Sequence, residues 1–110
     1  MRAQRQAIAR TVAERLFAAE AALDLAAARI AELNAALPIA RLDARVSAIV
    51  GQDAIMSSAS AMLLVAETRD KIVATHANLK HAGDEIGLPV TSYGDLIKPN
   101  SAELPHLQVV

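Results

Sequence analysis

The 110-residue chain has no cysteine and no tryptophan, one phenylalanine (Phe17) and one tyrosine (Tyr93). Without cysteine there is no disulfide framework, no thiolate nucleophile and no Cys-ligated metal. So few aromatic rings leave little to fill a β-sandwich core or to stack on nucleobases. An excess charge of one sign is also missing. Eleven basic against twelve acidic residues give a formal charge of −1, which removes the electrostatic case for a dedicated nucleic-acid binder. The basic N-terminus is interrupted by Arg10, Glu14, Arg15, Glu20 and Asp24 before a signal-peptide core could form. The most apolar stretch, Val46 to Ala66, carries Gly51-Gln52-Asp53 together with Ser57, Ser58 and Ser60. No membrane span is predicted, and a cytoplasmic location is the expectation.

What the chain does have is alanine, 25 residues of it, beside 34 Val, Ile, Leu, Met and aromatic residues. That is the composition of a single all-α domain with high intrinsic helix propensity. From Val12 onward apolar residues step at three and four: Leu16, Ala19, Leu23, Ala26, Ile30, Leu33 and Leu37. This spacing predicts a heptad seam on a long helix, with Ala19 and Ala26 permitting close approach of a neighbour.

Pro38 marks the first expected break, because it lacks the amide proton for the next helical bond and disfavours the α conformation at Leu37. Beyond it the large residues Ile39, Leu42, Val46 and Ile49 fall away from the old seam. A turn or sharp kink at 34–38 resolves the conflict. A second long helix then follows through Met56 and Leu63 and, shifted by one residue, Met62, Val65, Ile72, Leu79 and Ile86. Gly51-Gln52-Asp53 is the alternative break, which would make three helices; the persistent register favours two. The helix is expected to end near Ala82, with Gly83 as its C′ residue.

Residues 1–82 therefore read as a helical hairpin domain and 83–110 as an irregular Gly- and Pro-containing tail. The tail carries apolar pieces suited to extended docking on the bundle or on a partner, Leu107 and Val109 among them. Residues 1–50 hold seven basic and five acidic residues, and 51–110 hold four and seven, so antiparallel arms bring opposite balances together.

Candidate chemistry is sparse. His76 and His81 lie five apart, about 140° around a helix, so they do not share a metal as an i,i+4 pair would. The Glu-x-x-His spacing of di-metal bundles is absent from the helical part. No glycine-rich phosphate loop and no Gly-x-Ser-x-Gly elbow occur. The stretch His76-Ala-Asn-Leu-Lys80, followed by Gly83 and Gly87, resembles the motif of histidine phosphotransfer domains. That resemblance implies a helical bundle with His76 as phospho-acceptor. The family has one residue between His and Leu where this chain has two, and His81 stands where the family has glycine. Arg29, Arg41, Arg45 and Arg69 are candidates for binding a dicarboxylate, but their spacing does not enforce convergence. Arg69 alone lies within an apolar stripe, which predicts snorkelling or pairing across the bundle.

Two apolar stripes that wander around their helices cannot both be hidden in an isolated hairpin. The expectation is a symmetric homodimer of four-helix-bundle type acting without catalysis as a scaffold, adaptor or small-chaperone-like interaction module, with no cofactor and no metal. Its interaction residues would be Leu16, Ala19, Leu23, Ala26, Ile30, Leu33, Met56, Leu63, Val65, Ile72, Leu79, Leu107 and Val109. The alternative is a phosphotransfer-like module using His76, or a small helical enzyme whose site assembles at the dimer interface.

Overall fold

The computed structural model describes residues 2–88. They form two helices, α1 (Arg2–Ala44) and α2 (Gln52–Glu85), joined by a short loop into a helical hairpin. The tail expectations beyond Leu88, including Tyr93, Leu107 and Val109, lie outside the described residues. The described residues divide into two compact units, one built from residues 2–17 with 75–88 and the other from residues 18–74.

The expected break at Pro38 is overturned: Pro38 lies inside α1, which continues to Ala44. The helix carries the missing donor because Leu37 and Arg41, on either side of the proline, are still packed against α2, and the turn chemistry comes seven residues after Pro38. Arg45 adopts a left-handed conformation (φ 55°) and its amide donates to the Leu42 carbonyl at 3.1 Å. Gly51, also left-handed (φ 75°), precedes α2, and its carbonyl accepts the first helical bond from the Ile55 amide at 3.1 Å. Asp53 then falls in the first turn, where a carboxylate complements the helix dipole. Ile39, Leu42 and Ile49, whose displacement suggested the break, are simply exposed.

The end of α2 also differs from expectation. Gly83 is a buried helical residue, and the terminating glycine is Gly87, one turn later, with φ 74°. The Leu88 amide donates to the Gly83 carbonyl at 2.8 Å and the Gly87 amide to the Asp84 carbonyl at 3.1 Å. That pair of bonds is a Schellman motif, which satisfies orphan carbonyls of the last turn and requires a left-handed C′ residue. A glycine at 83 lacks the reversal because the helix there is still held against α1.

In the unit formed by the chain ends, Ala9, Ala13 and Leu88 make the buried cluster, with Val12, Phe17 and Leu79 packed against it. Small side chains at 9 and 13 let the facing backbone approach closely. In the unit formed by 18–74, the antiparallel segments meet along Glu20, Leu23, Ala27, Ile30, Asn34, Leu37 and Arg41 on α1. Ile55, Ser58, Met62, Val65, Arg69 and Ile72 face them on α2. All of these are buried or half-buried. The steps are alternately three and four throughout, a heptad spacing that keeps one stripe of each helix on its partner.

Candidate functional site

Several seam positions carry polar side chains, and most of these reach across the hairpin. Arg69 on α2 donates from Nη2 to the Glu20 backbone carbonyl at 2.9 Å and to the Asp24 carboxylate, while Nη1 stands 3.9 Å from Glu20 Oε2. Glu20 and Asp24, a like-charged i,i+4 pair on α1, are thus bridged by one guanidinium from the facing helix. This is the pairing that the position of Arg69 in an apolar stripe predicts. The Glu20 carboxylate is nearly enclosed, its side chain only 9% exposed, whereas that of Asp24 is 71% exposed. The Glu20 contact therefore lies in the less screened environment.

Nearer the loop, Ser58 Oγ donates to Asn34 Oδ1, tying the buried serine of α2 to α1. Arg41 Nη1 donates to the Ala48 carbonyl at 2.7 Å and to Gln52 Oε1 at 3.0 Å, so one side chain from α1 braces both the loop and the start of α2. In the unit of the chain ends, His76 is half-buried with its ring edge against Phe17, centroids 6.2 Å apart and planes inclined by 67°. His81 faces outward and pairs with Glu85 at 2.9 Å.

These groups do not converge on a reaction centre. A groove of about 180 Å³ in the 18–74 unit runs between Leu23, Ala27, Met62 and Val65, and the cation on its wall, Arg69, is already engaged by Glu20 and Asp24. An open depression of about 350 Å³ near Arg2, Arg5 and Leu88 is the larger hollow. Among the described residues no group of three or more His, Asp or Glu could hold a metal ion, and no helix is long and apolar enough to cross a membrane.

The sequence-predicted interaction residues are dispersed. Leu16 is buried; Leu23, Ala26, Ile30, Val65, Ile72 and Leu79 are half-buried. Ala19, Leu33, Met56 and Leu63 are exposed, and Leu107 and Val109 lie outside the described residues. Sequence reasoning passed over Glu20, Asn34 and Ser58 as seam residues. The signal was their place on the three-four grid: Glu20 follows Leu16 by four and precedes Leu23 by three.

The exposed apolar surface is extensive. Among the described residues, beside the buried apolar Ala9, Ala13, Leu16 and Leu88, thirteen large hydrophobic side chains are exposed, Leu42 at 76% and Ile49 at 81% the most open. No family model, curated protein or solved structure matches the chain.

Proposed function

We propose that the chain is a non-catalytic helical interaction module, a scaffold, adaptor or small-chaperone-like protein, that works as a homodimer. The observation that carries this reading is the imbalance between what the hairpin buries and what it leaves in water. Two helices form one layer; each helix covers only one stripe of the other, and a stable domain packs at least one more layer on what remains. Residues such as Leu25, Leu33, Leu63, Leu64 and Val73 are left exposed by the hairpin. Pairing two hairpins supplies that layer with one interface, and a two-fold axis lets the same patch serve both copies.

The polar groups support an interaction role over catalysis. Arg69, Asn34, Ser58 and Arg41 are spent on one another or on backbone across the hairpin. Buried polar pairs of this kind fix register in helical assemblies. Sedimentation equilibrium on the full chain at micromolar concentration tests the reading. A mass of twice 11.6 kDa is expected, and a folded, cooperatively melting species at the single-chain mass refutes it.

A further inference from the structure

We infer that the seam of the 18–74 unit also closes between two copies of the chain, each lending its α2 to the other's α1 while the loop straightens into helix. The partner is a second copy, and the surface it takes is the seam already described. The inference goes beyond the homodimer proposed above, because it concerns the seam and leaves the outer faces as they are.

The loop occupies residues 45–51, the length of one heptad. The α1 seam closes with Leu37 and Arg41, and the α2 seam opens with Ile55 and Ser58. Continued through the loop, the same alternation of threes and fours falls on Ala44, Ala48 and Gly51 and reaches Ile55 without a slipped step. A loop one residue longer or shorter would swing the α2 stripe about 100° away from that of α1 in a continuous helix. With seven residues the two stripes are in phase, so a chain drawn out straight carries one seam from Glu20 to Ile72. The three residues at its middle are small, which suits two helices crossing at close approach.

The contacts across the hairpin are also symmetric about residue 46. Asn34 and Ser58 lie twelve residues to either side, Asp24 and Arg69 twenty-two and twenty-three, and Arg41 and Gln52 five and six. An antiparallel pair of straightened copies, with its two-fold axis at residue 46, therefore remakes each of these bonds between chains, twice. The Arg41 bond to the Ala48 carbonyl belongs to the closed loop and is given up. With the seam common to both forms, the loop sets the balance. Closing it requires left-handed backbone at Arg45 and Gly51, and at Arg45 that conformation is strained. Opening relieves the strain, places Gly51 in a helix, where glycine is a poor former, and joins two chains, so the exchanged pair gains with concentration. Short hinge loops under strain favour such an exchange.

Because the chain has no cysteine, nitroxides can be placed on Ala31→Cys and Ser60→Cys, exposed positions of α1 and α2. The doubly labelled chain is unfolded with an excess of unlabelled chain and refolded at micromolar and at millimolar concentration. The two masses are separated, and pulsed electron resonance then reads the distance within one chain. A closed hairpin holds the labels under about 20 Å apart, from a helix spacing of about 8–10 Å and the label arms. In the exchanged pair twenty-nine residues of helix separate them by about 45 Å, from a rise of about 1.5 Å per residue. The expected result is the short distance in the monomer and the long one in the dimer refolded at millimolar concentration. Gly51→Ala, which disfavours the turn and favours the helix, should raise the association constant of the long-distance dimer about tenfold or more; an unchanged constant contradicts the straightened loop. A dimer with the short distance alone pairs intact hairpins, which overturns this inference and leaves the homodimer standing. A single-chain mass at every concentration, in the parent chain and in Gly51→Ala, overturns both.

Discussion

Glu20 sits among apolar seam residues because Arg69 from the facing helix meets both its backbone carbonyl and its carboxylate. Removing a cation from a largely desolvated carboxylate is costlier than removing a surface pair, since the remaining charge keeps its dehydration without the attraction that offset it. Arg69→Met is therefore expected to lower stability by about 3 kcal/mol, measured by urea unfolding. Asp24→Asn, on the wet side of the same guanidinium, should cost under about 1 kcal/mol. Equal effects would show that the Glu20 side of the cluster carries no special weight. A second residue-level test lies in the loop, where Arg45 holds φ 55° despite its β-carbon. Glycine adopts that conformation without steric penalty, so Arg45→Gly should raise stability by about 1 kcal/mol, and a loss would mean that the side chain contributes more than its backbone strain removes.

At the scale of the element, α1 runs through a proline and α2 overruns a glycine, and both departures have the same origin. A local signal is overruled where the helix remains packed on its partner. Pro38 still leaves the Asn34 carbonyl without its helical donor, so Pro38→Ala should stabilise the hairpin by about 2–3 kcal/mol; an unchanged unfolding midpoint would show that the helix has already absorbed the defect. At the other end, a β-carbon at Gly87 would meet nothing within 4 Å, so Gly87→Ala costs only its left-handed backbone conformation, about 1 kcal/mol.

These elements also show how much could be read in advance. The helical class and the positions Leu16, Leu23, Ile30 and Leu37 of the α1 seam follow from three-four spacing alone, whereas the hairpin is expected from a break at Pro38, a residue that lies inside α1. The intervening positions do not. Hydrophobicity selects Ala19, Ala26 and Leu33, while the facing row contains Glu20, Ala27 and Asn34, one residue on. Glu20 and Asn34 are acceptable inside only because Arg69 and Ser58 meet them from a helix some 25 to 50 residues away, information that no local window contains. The turn was misplaced for a related reason: Ile39 and Leu42 were given to a buried face, and they lie on an exposed one.

On the scale of the whole molecule, the hairpin buries little and displays much. Its described residues include no side chain of any size that is completely enclosed. A monomer of this kind would leave most of its leucine and isoleucine surface hydrated and gain little of the hydrophobic stabilisation that its composition allows. The proposed association of two copies would change that balance and make folding and assembly one event. Because stability then includes a binding term, it must vary with protein concentration. The most direct measurement is the thermal midpoint, followed by circular dichroism at 222 nm, over about a hundredfold range of chain concentration. Coupled folding and dimerisation predicts a midpoint that rises steadily with concentration by several degrees. A cooperative transition whose midpoint is the same at every concentration would contradict it, because such a hairpin would be stable with its apolar faces in water.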